Sequence, residues 1–337
     1  MRPTESTQIT LSHQTTTAGK PWWQRPAGTN PDRINLAFLL DAFRQGRNSD
    51  NRDVPCVKFA HHNERDAALR LEAQVPGAGF VFRSERSFLD RTAAYLVARQ
   101  GVSTIVVAGA GLPNIAEEHD LHSIVRRTEA TNRNPEQTTA RASVIYVEHD
   151  PVVLAHLRTL ADANNGVHVV DADPWDPHAM WDTLYNTAEE TPGLVLPDYD
   201  HVALLLGGVM SFHGGTRAEA AQVVQDHLAR LPATAFLAMT HLLQPKHPDL
   251  ALQALEFEAA LQSRGPGTGS LATEAQIEAM IRGTTLLPPG IGPAFAWFPD
   301  GPPTNTPVCG NFTAAVLTQK PGPDHGLPEP PWRPARP

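Results

Sequence analysis

Cysteine is nearly absent from this chain of 337 residues: Cys56 and Cys309 are the only two. Two thiols cannot build a disulfide framework or a cysteine-based zinc site, and their scarcity fits a reducing compartment, the cytoplasm. Basic residues are in deficit as well, 27 Lys and Arg against 36 Asp and Glu, for a net charge of -9. A surface of that sign does not attract nucleic-acid phosphates or anionic membranes at long range, which leaves a small molecule or a protein as partner. No run of about 20 apolar residues is present to span a bilayer. The Thr- and Ser-rich stretch from Met1 to Asn30 also lacks the apolar core of a secretory signal. Two phosphate- and acyl-chemistry signatures are missing, the Gly-x-Ser-x-Gly elbow and the Gly-x-x-x-x-Gly-Lys-Ser/Thr loop, so hydrolase and nucleoside-triphosphatase readings lose their main support.

What is present is an ordinary globular composition, 41% apolar and 19% charged. We read one domain over residues 31–320, opened by a helical cap over 31–82 and flanked by two tails. The first tail, 1–30, lacks hydrophobic periodicity, and the second, 321–337, holds seven prolines. Between the tails short β-branched runs alternate with stretches of helical spacing, which predicts α/β architecture with a mostly parallel sheet covered on both faces. The predicted strands are Ser103 to Ala108, Ser143 to Val147, Val167 to Asp171, His201 to Leu206, Ala233 to Thr240 and Asn311 to Thr318. The predicted helices are Ser84 to Arg99, Pro151 to Ala163, Pro177 to Thr187, Arg217 to Leu231, Leu250 to Leu261 and Thr273 to Arg282. Two earlier ones, Ile34 to Arg44 and Glu64 to Val75, are expected over a sheet edge or the ligand crevice. The polar segment Thr128 to Ala142 reads as an exposed insertion.

The strongest local signal is the apolar strand running into Gly109-Ala110-Gly111-Leu112-Pro113. Glycines there let backbone approach a ligand, and the next helix offers free N–H groups, so a ligand is expected at the end of the first strand. The alternative is a tight strand-to-helix turn. Asn114 stands where a dinucleotide fingerprint has its third glycine, which disfavours a nicotinamide cofactor. The second strand ends in Glu148-His149-Asp150-Pro151. A carboxylate at that tip is placed to accept both hydroxyls of a ribose, while Asp150 before Pro151 is placed to cap the following helix. Asp173, after the third strand, is placed to accept an adenine amino proton, or is a plain turn residue. Together these acids and the glycine turn outline an adenosine site.

At this point the chain resembles an actinobacterial S-adenosylmethionine-dependent methyltransferase family long catalogued as a domain of unknown function. The likeness rests on Phe88-Leu89, Tyr95-Leu96, the Gly109 to Pro113 turn, where the family has Gly-(Ser/Thr)-Gly-Leu-Pro, and His119-Asp120-Leu121. It is clearest from Val144 to His156 (VIYVEHDPVVLAH) and continues through Ala172-Asp173, Asp176-Pro177, Val202 to Leu206 and Thr240-His241, covering roughly Ser84 to Lys320. It implies a Rossmann-like class I methyltransferase domain with a seven-stranded sheet. It also implies S-adenosylmethionine held by Gly109, Ala110, Gly111, Leu112, Pro113, Glu148, His149, Asp173 and Gly207. The chain departs from the family at Val107, where the family has an acid and where the resemblance implies a weaker hold on the cofactor. It departs again at Leu36 to Ala42, which lacks the family's Gly-Gly-Lys, and at Ser211, where the family has a histidine.

Methyl transfer needs little beyond in-line approach, so no catalytic residue is assigned. The histidines nearest the predicted strand ends, His119, His213 and His241, are the candidates for a base. No metal is expected, although His119 and His122 share helical spacing beside Glu117 and Glu118. The expected function is methylation of an unidentified small molecule by a protein that forms a monomer or a homo-oligomer. The alternative is a binding or regulatory protein that keeps the fold without catalysis.

Overall fold

The computed structural model describes residues 34–45, 62–114, 119–132, 142–191, 194, 201–264, 268–297 and 306–322. Residues 1–30, Cys56, His61, Glu117, Glu118, 133–141 and most of the Pro-rich tail lie outside the described residues. In chain order the strands are β1 Thr104–Ala108, β2 Ser143–Glu148, β3 Val167–Asp171, β4 Val202–Gly207, β5 Phe236–Leu242, β6 Thr285–Leu286 and β7 Thr313–Gln319. The helices are α1 Leu36–Gln45, α2 His62–Gln74, α3 Ala78–Gln100, α4 Leu121–Asn132, α5 Pro151–Ala163, α6 Pro177–Glu190, α7 Arg217–Arg230, α8 Pro248–Arg264 and α9 Glu274–Met280.

The strands form one sheet of order β3-β2-β1-β4-β5-β7-β6. β1 to β5 pair in parallel, and β7 runs antiparallel between β5 and β6. Side chains alternate across the pleat, and both faces are buried. Ile105, Val107, Val144, Tyr146, Ala203 and Leu205 enter one core layer with Phe88, Leu96, Val125 and Leu157 of α3, α4 and α5. Val106, Ala108, Ile145, Val147, Leu204 and Leu206 enter the other with Trp181, Val224 and Ile277 of α6, α7 and α9. Strands buried on both sides read as unbroken apolar runs, which is why their positions are visible in the sequence.

A third core layer joins Leu39 of α1, Leu71 of α2, Phe82 of α3 and Phe257 of α8. Just before α1, the Asn35 side-chain amide donates to Asp150 Oδ2 at 2.8 Å, which ties the start of that helix to the chain after β2. Three details differ from the sequence expectation. Thr128 to Asn132 continue α4 rather than loop outward, because an Arg126–Glu129 pair at 3.1 Å supports the polar last turns. α3 begins at Ala78, where the Glu72 carboxylate accepts the Gly77 and Gly79 amides at 2.8 and 3.0 Å. The strand that joins the six expected ones, β6, is two residues long and has no apolar signature of its own.

Candidate functional site

The chain leaves β1 toward β2 on one side and returns to β4 on the other, so strand order reverses between β1 and β4. At such a reversal the connections diverge and leave a crevice beyond the C-terminal strand ends. Gly109 and Gly111 stand there with φ of 68° and 65°, conformations that cost a side-chain-bearing residue about 1–2 kcal/mol. The Gly109 and Ala110 amides donate to the Val147 carbonyl at 3.0 and 3.2 Å, folding the turn over the tip of β2. A Cβ on Gly109 would stand 2.6 Å from Val209 Cγ2. Ala110, Leu112 and Pro113 turn their side chains inward.

Glu148 ends β2 and is 7% exposed. Its Oε2 accepts the Gly111 amide at 3.0 Å, and its Oε1 accepts the His149 and Asp150 amides at 2.9 and 3.3 Å. A carboxylate offers about four acceptor positions, so one remains for a ligand hydroxyl. Asp150 accepts the Val152 and Val153 amides as the N-cap of α5, with Pro151 at the first helical position.

Asp173 lies beyond β3, and its Oδ1 accepts the Trp175 amide at 2.9 Å. The Trp175 indole donates to the Val209 carbonyl at 3.2 Å, tying the β3 loop to the turn after β4. Its ring stands 6.4 Å from that of His149 and 5.8 Å, edge-on, from that of His213. At β4, Gly207 is approached by α3: a Cβ there would stand 2.5 Å from Leu89 Cδ1. Gly208 follows with φ of 70°. Ser211, at the position of the family histidine, is fully buried and accepts the Leu242 amide at 2.8 Å, so it pins β5.

The three histidines occupy different settings. His119 is exposed. His241 is 1% exposed. Its Nδ1 faces the Leu242 carbonyl at 2.8 Å and its Nε2 faces Arg217 Nη1 at 3.1 Å. A carbonyl only accepts and a guanidinium only donates, so the proton is on Nδ1 and both nitrogens are engaged. In His213 the Gly215 amide donates to Nδ1 at 3.2 Å, which puts the ring proton of the neutral form on Nε2. Burial lowers the pKa of His213 and of His241 to about 4, with Arg217 adding to the effect.

A cavity of about 150 Å³ opens beside the glycine loop. Asp41 of α1, Arg83, Arg86 and Asp90 of α3, and the chain at Pro113 and Asn114 line it. Behind it Asp120 is 1% exposed. Asp120 accepts the Asn114 amide at 2.8 Å and the Tyr146 hydroxyl, and it faces His122 Nδ1 at 3.1 Å. Arg86, Asp120 and Tyr146 were not singled out from sequence for a site. Arg86 and Asp90 do have the spacing of a helical ion pair, but that pattern alone also describes a solvated surface. Val107 packs into the core.

No curated protein matches this sequence. Among solved structures, a candidate methyltransferase of Thermobifida fusca is 22% identical with a TM-score of 0.66, covering 86% of this chain and 96% of its own. A DUF574 family protein of Streptomyces avermitilis is also 22% identical, with a TM-score of 0.68, covering 86% of this chain and 98% of its own. Both show the fold alone. The model of a family described as S-adenosyl methyltransferase matches residues 58–320, and the chain belongs to that family.

Proposed function

We propose that the chain holds S-adenosylmethionine across the glycine turn, Glu148 and Asp173, and methylates a small-molecule acceptor in the cytoplasm of an actinobacterium. The observation that carries this reading is Glu148. Its buried carboxylate bonds the glycine turn through Gly111 and keeps one acceptor position at the mouth of the crevice, which suits a ribose hydroxyl. Asp173, half-buried beyond β3, suits the adenine amino group, with His149 and Trp175 supplying ring surface beside it. Gly109, Ala110, Gly111, Leu112 and Pro113 supply backbone on one wall, and Gly207 supplies it on the other. Residues 31–320 form the catalytic domain in this reading.

The cofactor supplies an electrophilic methyl group on a sulfonium, and the protein's part is alignment and exclusion of water. Of the three histidines, His213 stands beside the Trp175 ring, but burial lowers its pKa to about 4 and its Nδ1 already accepts the Gly215 amide, so it is a weak base at pH 7 and alignment carries the reaction. The acidic net charge of -9 argues against nucleic acid as acceptor. No helix among the described residues is long and apolar enough to cross a membrane. The cytoplasmic assignment draws on the two cysteines, and the actinobacterial one on the sources of the two similar structures.

Calorimetric titration with S-adenosylmethionine and S-adenosylhomocysteine, followed by mass-spectrometric search for methylated small molecules, tests the reading. Saturable micromolar binding and a product carrying one added methyl group are expected. A folded protein that binds neither compound refutes it.

A further inference from the structure

A carboxylate stands at the tip of β4 that the adenosine reading does not use. Glu85 of α3 is 6% exposed. Its Oε1 accepts the Thr313 hydroxyl at 3.3 Å, and a Cβ on Gly208 would stand 3.0 Å from its Oε2. The bare backbone of Gly208 lets the carboxylate reach the turn that ends β4. On the same face of the sheet, β5 brings Thr240 level with Gly207. Thr240 and Ala238 are two positions apart and share that face, and Ala238 packs in the core layer of Leu89, one turn along α3 from Glu85. The Thr240 hydroxyl is fully buried and has no hydrogen-bond partner among the described residues. A polar group in that state suits a ligand that supplies the missing partner.

The groups around this turn favour one acceptor chemistry. Arg217 commits its two terminal nitrogens to the carbonyls of Met210, His213 and Gly215 and to His241, so it is not open to an anionic acceptor. His213 and His241, with pKa values of about 4, are neutral at pH 7. A hydroxyl acceptor must lose a proton as it attacks, and histidines of that pKa remove it poorly. An amine needs no base in the step. Its neutral form attacks with its own lone pair: the N–C bond forms, the C–S bond breaks with its electrons left on sulfur, and the positive charge of the sulfonium passes to nitrogen. A fixed carboxylate beside an apolar layer stabilises the charge that develops there.

We propose that the methyl acceptor is an amine and that Glu85 is the catalytic residue facing its nitrogen, with the Thr240 hydroxyl accepting one of its N–H groups. This rests on the reading that the adenosine lies over the tips of β1, β2 and β3, which directs the methyl group toward β4 and β5. An aliphatic amine sheds its proton to solvent before it attacks, and the methylated product leaves as an ammonium ion, so protons and charge balance without a base from the protein.

The test uses the full chain and two probes that differ at one position: S-adenosylhomocysteine, and sinefungin, in which a carbon bearing an ammonium group replaces the sulfur and its methyl. Wild type should bind sinefungin about 30-fold more tightly than S-adenosylhomocysteine, the size of one charge-assisted contact, and Glu85→Gln should remove that preference while leaving S-adenosylhomocysteine unchanged. A preference that survives in Glu85→Gln overturns the proposal, as does an equal loss for both probes in a variant that melts like wild type. Should Glu85→Gln fail to fold, wild type decides through its own preference and through its products. Offered S-adenosylmethionine with matched sets of amines and phenols, it should methylate amines, and methylated phenols alone overturn the proposal. A wild type that binds both probes equally removes the role of Glu85 and leaves the adenosine site standing. A wild type that binds neither probe removes the adenosine site as well.

Discussion

Replacing Glu148 by Gln separates two roles of one side chain. The carboxylate accepts three backbone amides, from Gly111, His149 and Asp150, at 3.0, 2.9 and 3.3 Å. Glutamine keeps the shape but has one accepting oxygen, so whichever way its amide turns, at least one buried N–H loses its acceptor. Glu148 is 7% exposed, so solvent compensates little. The loss of a hydrogen bond to a charged group is worth about 1.5–3 kcal/mol. At roughly 2 °C per kcal/mol for a chain of this size, the ligand-free protein should melt about 3–6 °C lower. The ribose hydroxyl loses the same kind of acceptor, so S-adenosylmethionine should bind about 10- to 100-fold more weakly. Differential scanning fluorimetry without ligand and calorimetry well below the melting temperature read the two effects independently. An unchanged melting temperature refutes the bridge to Gly111, and an unchanged affinity refutes the ribose role.

Gly109→Ala should be destabilising by more than the 1–2 kcal/mol of its left-handed backbone, because its Cβ would meet Val209 Cγ2 at 2.6 Å. Adding Val209→Ala should recover the clash and not the backbone strain, and urea unfolding in which Gly109→Ala matches wild type refutes both parts. Burial lowers His213, His227 and His241 to about 4 from the ordinary 6.5. Between those values the unfolded chain binds more protons, so their stabilising contribution is whole above pH 6.5 and falls as pH drops toward 4. The slope is up to about 1.4 kcal/mol per pH unit for each histidine. His227, whose Nδ1 accepts the Trp181 indole and whose Nε2 donates to the Pro174 carbonyl, is fully buried. Replacing it by Gln should shallow the pH dependence by one histidine's share, and a urea midpoint as high at about pH 4.5 as at pH 7 refutes the reasoning.

What the sequence determined by itself is local or periodic. Val106 to Ala108 and Leu204 to Leu206 read as strands because both faces of a mostly parallel sheet are covered, which leaves no polar alternation to obscure them. Asp150 before Pro151 marked the start of α5 because a cap and a fixed φ act within one turn. Glycines after β1 and acids after β2 and β3 outlined a crevice because parallel strands bring their C-terminal ends to one edge. Only the tertiary structure decided what lies across that edge. Arg86 and Asp120 are 34 positions apart in number and meet because α3 packs beside α4 over the same core layer. Trp175 bridges the β3 and β4 loops, and His241 is held by Arg217 from another element. The charge state of such groups depends on burial and on partners distant in the chain, and no residue carries that information in its own neighbourhood.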